Sequence, residues 1–335
     1  MISSTPSEIV AKLPTIADVE DAARRIKGFA VLTPLLESPM LNRQLGGRLL
    51  VKAEPLQRTG SFKFRGAYNR LSRLDEARRK AGVVTYSSGN HAQGVAHAAQ
   101  LLGVPAVIAM PSDAPAIKIA NTRAYGGEVV LYDRYRDNRE AVGAKIAAER
   151  GATLVPPYDD PHIVAGQGTV GLEIAEQAAM AGAKLDAVLV CCGGGGLVAG
   201  TALALAAKAP GVPVYAVEPA GFDDTTRSLN SKTRERNDPE ARSICDALLA
   251  PMPGELTFAL NSRLLAGGLV VTDDEVRRAM AVAFSYLKIV VEPGGAVALA
   301  AALTGKIALS GRTIAVVCSG GNVDPKAYIS ALVGA

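Results

Sequence analysis

The sequence predicts an α/β fold with mainly parallel, doubly wound sheets. Apolar segments of strand length alternate with segments of helical periodicity along most of the chain. The segment AVLVCC, residues 187–192, is continuously apolar, which is typical of a strand covered on both faces. A length of 335 residues allows about two domains, and 49% hydrophobic content is sufficient for a full core.

The first predicted helix runs from Ile16 to about Lys27. Thr15 is suited to cap its N-terminus, and Gly28 is suited to end it. The next apolar segment, GRLLVKAE at 47–54, predicts a strand that leads toward a second helix.

That second helix lies in TGSFKFRGAYNRL, residues 59–71, with Ser61 as its expected N-cap. Helical spacing predicts that its inward face is formed by Phe64, Ala67 and Leu71. Lys63 lies just off this face. One interpretation is an ordinary lysine whose stem covers apolar surface. The other is an amine in a cleft, where partial desolvation lowers its pKa and lets it form a Schiff base with a carbonyl compound.

The remaining elements repeat the same alternation. Strands are predicted at 83–87, 105–111, 126–132, 187–192, 212–219 and 313–318. Helices are predicted at 91–103, 114–125, 137–150, 166–182, after the glycines at 193–196, and at 275–287, whereas 222–256 is interpreted as polar and irregular.

Glycine-bearing corners follow three of these strands, with the sequences SSGNH, GGGG and SGGN. In open parallel sheets, ligands bind beyond the carboxyl ends of the strands. The three corners and Lys63 are therefore expected to converge on one cleft.

Charge and hydropathy argue against several classes of partner. The net charge is only +4, with basic and acidic residues intermixed, which disfavours nucleic acid and anionic membranes. No apolar stretch approaches the roughly 20 residues that span a bilayer. The first residues, MISSTPSEIVAKLP, lack the features of a signal peptide, so we predict a cytoplasmic protein. The four cysteines indicate neither a zinc site nor a disulfide framework.

The run Gly193, Gly194, Gly195 and Gly196 follows a buried strand and opens a helix. Consecutive backbone N–H groups there can bind an anion, although a simple tight turn is the alternative. The spacing matches neither a P-loop nor a dinucleotide motif. A phosphate site together with a candidate Schiff-base lysine indicates pyridoxal phosphate, which needs both anchors.

Six motifs carry a resemblance to a known family: TGSFKFRGAYN, SSGNHAQGVA, AGQGTVGLEI, GGGGL, EPGGA and CSGGN. In this order and spacing they closely resemble the serine/threonine dehydratase and serine racemase family of fold-type II pyridoxal phosphate enzymes. The resemblance extends from about residue 20 to residue 328.

The resemblance implies two doubly wound domains of the tryptophan synthase beta-like type, with pyridoxal 5'-phosphate in the cleft between them. Residues 1–81 and 160–335 would form the large domain, and residues 82–159 a small mobile domain. The chain ends soon after GGNVD, so no C-terminal regulatory domain is expected. The relatives also imply a homodimer.

The resemblance also implies roles for individual residues. Lys63 would bind the cofactor aldehyde and act as a base, while Ser88 would act on the opposite face of the ring. The other cofactor contacts would come from Phe62, Asn90, Gly193, Gly194, Gly195, Gly196, Leu197 and Ser319. The substrate would contact Ser87, Ser88, Asn90, His91 and Arg139.

A divalent cation site is implied at Glu218, the backbone carbonyl of Phe222, and Asp224. Such oxygen ligands suit Mg²⁺ or Ca²⁺. The alternative interpretation is a solvated acidic loop.

The predicted reaction is β-elimination of water from a β-hydroxy amino acid by an ammonia-lyase, with L-threonine or L-serine as first choice. Arg139 resembles the arginine that binds a second carboxylate in the racemase and hydroxyaspartate dehydratase branch, which makes 3-hydroxyaspartate the alternative substrate. The other interpretation of Arg139 is an exposed arginine on a charged helix. Ser88 leaves racemisation of serine as an alternative reaction. A non-catalytic cofactor carrier is disfavoured because Lys63, Ser88, Asn90 and Ser319 are all present. A nicotinamide-dependent oxidoreductase is disfavoured by the glycine spacing.

Overall fold

The computed structural model describes residues 13–87, 89–114, 116–133 and 135–334. It contains ten strands within these ranges. They are β1 (Leu35–Glu37), β2 (Arg48–Ala53), β3 (Val83–Tyr86), β4 (Ala106–Pro111), β5 (Glu128–Tyr132), β6 (Thr153–Leu154), β7 (Ala187–Cys191), β8 (Val214–Pro219), β9 (Gly267–Val271) and β10 (Thr313–Cys318).

Fourteen α-helices separate these strands in the described ranges. They are α1 (Ile16–Ile26), α2 (Pro39–Leu45), α3 (Lys63–Leu71), α4 (Glu76–Ala81), α5 (Asn90–Leu102), α6 (Ala116–Ala124), α7 (Arg139–Arg150), α8 (Pro161–Met180), α9 (Gly196–Lys208), α10 (Asp224–Ser231), α11 (Glu255–Leu264), α12 (Asp273–Val282), α13 (Pro293–Leu303) and α14 (Pro325–Val333).

The strands form two sheets. Six strands pair in the order β1-β2-β10-β7-β8-β9, and four pair in the order β5-β4-β3-β6. Every pairing is parallel except the antiparallel edge pair β1–β2. The predicted α/β fold with mainly parallel sheets is confirmed, whereas the domain limits at residues 81 and 160 remain a prediction.

The central strand β7 is buried at all five positions, as its continuous apolar sequence predicts. Helix α3 lies between the two sheets. Its apolar face of Phe64, Ala67 and Leu71 joins a core with Val83 and Val95 of the four-stranded half. A lysine at the start of this helix is therefore held by packing from both halves of the molecule.

Helices α3, α8 and α9 approach each other through glycines. A Cβ atom on Gly166 of α8 would lie 2.6 Å from the Cα atom of Gly66 in α3. On the other side of α8, a Cβ on Gly168 would lie 2.9 Å from the carbonyl oxygen of Gly200 in α9. These contacts are backbone against backbone, so larger residues would push the helices apart.

Several regions differ from the sequence-based prediction. Helix α8 begins at Pro161, because Asp160 caps it by accepting hydrogen bonds from the N–H groups of His162 and Ile163. The segment 222–256 is not wholly irregular, since it contains α10. Strand β9 was not predicted, because its first two residues are glycines, which are rare in strands.

No helix in the described ranges is both long enough and apolar enough to span a bilayer.

Candidate active site

Lys63 is the first residue of α3, but Ser61 is not its cap. Ser61 is extended (φ −164°) and forms an isolated antiparallel bridge with Gly320, beyond the end of β10. Its buried Oγ has no hydrogen-bond partner in the described part of the chain. The predicted N-cap is therefore wrong, because the bridge to Gly320 draws Ser61 away from the helix start.

The Lys63 amine lies in a cleft and carries no carboxylate partner among the described residues. Burial and the positive charge of Arg139 lower its pKa from 10.5 to about 8. The Nζ atom donates a hydrogen bond to the carbonyl oxygen of Pro157 at 2.7 Å and lies 5.1 Å from the centroid of the Phe62 ring. A larger fraction of this amine is therefore uncharged and nucleophilic near neutral pH than for an ordinary lysine.

The tetraglycine loop joins β7 to α9. Gly195 is in the left-handed region, with φ +89°. A Cβ atom on Gly194 would collide with the ring of Tyr158, and one on Gly195 would lie 2.7 Å from Asn261 Nδ2. Glycine is required at both positions by space, and at Gly195 by conformation as well.

The corner SSGNH follows β3 and opens α5 at Asn90. Ser87 Oγ accepts a hydrogen bond from the N–H of Gly89 at 3.2 Å. Burial, with a smaller effect from Lys63, lowers the pKa of His91 to about 3, so its ring is neutral. The predicted catalytic residue Ser88 lies outside the described residues.

Asn90 is fixed by two neighbours that come from distant segments. Its Nδ2 donates to a carboxylate oxygen of Glu292, and its Oδ1 accepts from Asn322 Nδ2 at 2.8 Å. Burial raises the pKa of Glu292 to about 7. The amide retains one donor hydrogen and one acceptor position for a ligand.

Ser319 follows β10 and is 5% exposed. Its carbonyl oxygen accepts a hydrogen bond from the N–H of Phe62 at 3.1 Å, which links the end of the strand to the residue before Lys63.

One cleft brings most of the predicted site residues together. Its lining includes Phe62, Lys63, Ser87, Asn90, His91, Arg139, Gly193, Gly194, Gly195, Gly196, Leu197 and Ser319. The predicted convergence of the three corners on Lys63 is therefore observed, while the chemical role of each residue remains a prediction.

Arg139 begins α7 and lies over the ring of Tyr86, at 5.9 Å from the centroid. It is partly exposed to the cleft, and no carboxylate in the described ranges forms an ion pair with it. A guanidinium without a carboxylate, close enough to Lys63 to lower its pKa, leaves this end of the cleft positively charged.

Sequence reasoning missed two charged residues of the cleft. Lys118 Nζ forms an ion pair with Asp246 Oδ2, and the lysine side chain is only 6% exposed. Lys118 lies in the first turn of the helix that follows β4, so the rule that ligands bind beyond strand ends could have identified it. Asp246 belongs to an irregular segment and carried no such signal.

The predicted metal ligands lie outside the cleft lining. Glu218 accepts hydrogen bonds from the N–H groups of Thr225 and Thr226, and Asp224 Oδ2 is buried without a partner in the described ranges. Burial and the nearby Asp224 raise the pKa of Glu218 to about 8, and burial raises the pKa of Asp224 to about 6. Within the same ranges, no three His, Cys, Asp or Glu side chains are grouped to hold a metal ion.

Comparison with known proteins shows that the chain is similar to enzymes. Residues 26–320 match the family described as "Pyridoxal-phosphate dependent enzyme". An L-threo-3-hydroxyaspartate ammonia-lyase from a Pseudomonas species is 45% identical, over 96% of this chain and 100% of the relative. Serine racemase from Schizosaccharomyces pombe is 44% identical, over 94% and 96%. The crystal structure of a T.th. threonine deaminase is 45% identical with a TM-score of 0.87, over 93% of this chain and 99% of that one.

The residues of the cleft fit pyridoxal phosphate. A buried amine of lowered pKa suits the cofactor aldehyde, and a loop in which Cβ atoms have no room suits close approach of backbone N–H groups to a phosphate. Lys63, Asn90, Ser319 and the tetraglycine loop would hold it. With this fit and a family match that spans most of the chain, the protein belongs to the pyridoxal-phosphate dependent enzyme family.

Proposed function

We propose that this protein is an ammonia-lyase that removes water from a β-hydroxy amino acid and releases a 2-oxo acid and ammonia. The observation that carries the proposal is the partly buried Lys63 amine, which has no carboxylate partner in the described ranges and lies in the same cleft as the tetraglycine loop. The similarity to an L-threo-3-hydroxyaspartate ammonia-lyase and to a threonine deaminase supports it.

Lys63 is proposed to take the α-proton of the substrate, because its uncharged form is populated near neutral pH. The bound cofactor supplies the electron sink that stabilises the resulting negative charge. The resemblance implies that Ser319 would face the ring nitrogen, and a serine there would not favour protonation of that nitrogen as a carboxylate would. The electron sink would then be mild, and loss of a β-substituent would be favoured over transamination. The α-proton and the β-hydroxyl together leave as water, and the released enamine then takes up water to give the 2-oxo acid and ammonia.

The carboxylates of the substrate have two distinct sites in this proposal. The corner at Ser87 and Asn90, which opens α5, offers donors for the α-carboxylate. Arg139, without an ion-pair partner in the described ranges, offers a second, bidentate site. This arrangement favours 3-hydroxyaspartate over threonine and serine, the substrates that the sequence alone put first.

The test is a panel of threonine, serine and both diastereomers of 3-hydroxyaspartate, with 2-oxo acid and ammonia measured together. We expect equimolar release of both products, with the highest kcat/KM for a hydroxyaspartate diastereomer. Faster turnover of serine or threonine would reject the dicarboxylate preference. Absence of 2-oxo acid from every substrate would reject the ammonia-lyase proposal itself.

Racemisation of serine is a second candidate, favoured by Ser88 in the corner and by the similarity to a serine racemase. Chiral chromatography of serine incubated with the holoenzyme tests it. We expect Ser88→Ala to remove any D-serine formation while part of the elimination activity remains. D-serine formation at an unchanged rate in this variant would contradict the role of Ser88.

A cation site at Glu218, the carbonyl of Phe222, and Asp224 also remains a proposal. Burial disfavours the charged form of both carboxylates, and Asp224 further disfavours that of Glu218; a bound Mg²⁺ or Ca²⁺ would offset this cost. We expect either ion to raise the thermal unfolding midpoint of the protein, and Asp224→Asn to remove this effect. An unchanged midpoint after chelation and re-addition of the ions would reject the site.

A homodimer in the cytoplasm is the assembly and location that we propose. The exposed apolar side chains of Phe29, Val31 and Leu32 support a subunit contact. Light scattering coupled to size-exclusion chromatography tests the assembly, and a monomeric mass at micromolar protein would reject it.

A further inference from the structure

Helix α11 lies behind the tetraglycine loop and contacts two of its carbonyl groups. Thr257 Oγ1 donates a hydrogen bond to the carbonyl oxygen of Gly194 at 2.7 Å. One turn further along the helix, Asn261 Nδ2 donates to the carbonyl oxygen of Gly195 at 3.4 Å. Both side chains are fully buried, and neither belongs to the cleft lining.

These two bonds help to determine which way the backbone N–H groups of the loop point. The carbonyl of Gly195 also accepts the first hydrogen bond of α9, from the N–H of Ala199 at 3.0 Å. In a trans peptide unit, the carbonyl oxygen and the following N–H point in opposite directions. Because the carbonyl of Gly194 points to Thr257, the N–H of Gly195 points away from α11. By the same argument, the carbonyl of Gly195 directs the N–H of Gly196 away from Asn261. The loop residues line the cleft, so these N–H groups face the position expected for an anion.

A loop of four glycines has no intrinsic preference for the conformation that points its N–H groups into the cleft. Gly195 has φ +89°, and a glycine chain visits many other conformations at similar energy. Without the contacts from α11, the loop would sample other conformations. Aligning its N–H donors when an anion binds would then cost conformational entropy. Thr257 and Asn261 remove that freedom before binding.

Helix α11 is held in place by a residue from the segment that returns from the four-stranded sheet. Its N-cap is Gly254, which offers no side-chain acceptor. Asp159 supplies one instead, with Oδ2 accepting from the N–H of Glu255 at 3.0 Å and Oδ1 from that of Thr257 at 3.1 Å. A carboxylate at a helix N-terminus is favoured by hydrogen bonding and by the helix dipole.

We propose that Thr257 and Asn261 are positioning residues for the cofactor phosphate, and that Asp159 positions them by capping α11. They do not touch the cofactor in this proposal. They act through the carbonyls of Gly194 and Gly195 to orient the N–H groups that bind the phosphate. The inference rests on the cofactor site and is independent of which amino acid the enzyme transforms.

The test compares Thr257→Val, which removes the hydroxyl at constant shape, with Thr257→Ser, which keeps it. Cofactor-free protein is titrated with pyridoxal phosphate and separately with pyridoxal, which lacks the phosphate. We expect Thr257→Val to weaken pyridoxal phosphate binding roughly five- to tenfold, as for loss of one hydrogen bond. Pyridoxal binding should be unchanged in both variants, and Thr257→Ser should resemble the wild type.

A purely structural role predicts a different result. Equal weakening for pyridoxal and pyridoxal phosphate, or no weakening for either, would overturn the proposal. If Thr257→Val does not fold, as judged by the thermal unfolding of the cofactor-free protein, Asn261→Ala is titrated under the same criteria. Because these measurements use no amino acid substrate, a failure of the ammonia-lyase proposal would leave them interpretable.

Discussion

Lys63 and Arg65 are two residues apart in helix α3, yet their surroundings are opposite. The Arg65 guanidinium is fully buried and bonds to both carboxylate oxygens of Glu54 and of Glu173. Burial alone would lower the pKa of Arg65, but these two carboxylates raise it above its ordinary value. In the part of the chain that the structure describes, the Lys63 amine donates to the carbonyl of Pro157 and has no carboxylate partner, and its pKa falls to about 8.

The difference shows how one helix can hold a structural cation and a reactive cation side by side. A buried cation that is matched by carboxylates stays charged and has no capacity left for a ligand. A buried or partly buried lysine without a carboxylate partner is partly deprotonated, whereas an arginine in such a place stays charged and can bind an anion. Arg139, which is partly exposed to the cleft and has no carboxylate partner in the described ranges, represents the second case.

The largest effect is expected when the unmatched lysine is removed. Lys63→Ala should reduce 2-oxo acid release by more than about 10³-fold, because it deletes both the cofactor attachment and the proposed base. The exposed Lys184→Ala serves as the control and should keep wild-type activity. Turnover by Lys63→Ala within tenfold of the wild type would contradict the assignment.

Removing the matched cation should instead cost stability. Arg65→Met leaves the buried Glu54 without its cation, whereas Glu173, which is 15% exposed, keeps its ion pair with Lys52. We expect the free energy of unfolding to fall by about 3–5 kcal/mol. Denaturant unfolding of the cofactor-free protein measures this change. The control Arg150→Met disrupts the exposed pair with Glu128 and should have no measurable effect. Equal free energies of unfolding for the two variants would contradict the structural role assigned to Arg65.

Arg139 extends the comparison to substrate recognition. Arg139→Met should lower kcat/KM for the preferred hydroxyaspartate diastereomer roughly 10- to 100-fold, the effect expected for loss of a charge-assisted hydrogen bond. The kcat/KM for serine should be nearly unchanged. The exposed Arg136→Met, three residues earlier, is the matched control. A parallel loss for both substrates would show that Arg139 acts on the site as a whole.

The smallest effect is a pH shift in the reactivity of Lys63. Since only the uncharged amine reacts, the rate at which cofactor-free protein captures pyridoxal phosphate should rise with pH and level off above about 8. Arg139→Met removes a charge that lowers this pKa, so the profile should move to higher pH by less than about one unit. A stopped-flow pH series measures the shift, and movement to lower pH would contradict the cause assigned to it.

The sequence predicted the fold and the corners of the site because both depend on local patterns. Strand-length apolar segments and the glycines after β3, β7 and β10 can be recognised within a few residues of each other. Asp159 and Thr257 could not be found in this way, because each matters through a partner far away in sequence. The expected cap at Ser61 failed for the same reason, since a distant glycine determines its conformation.

The glycine contacts of helix α8 have a consequence for how such an enzyme can change. Lys63 and the tetraglycine loop are attached to α3 and α9, and α8 keeps these two helices apart by direct backbone contact on either side. The distance between Lys63 and the tetraglycine loop is therefore set by these backbone contacts. Substitutions of side chains on the wall of the cleft do not change it. A substitution such as Arg139→Met can therefore change substrate preference while the distance between Lys63 and the tetraglycine loop stays the same.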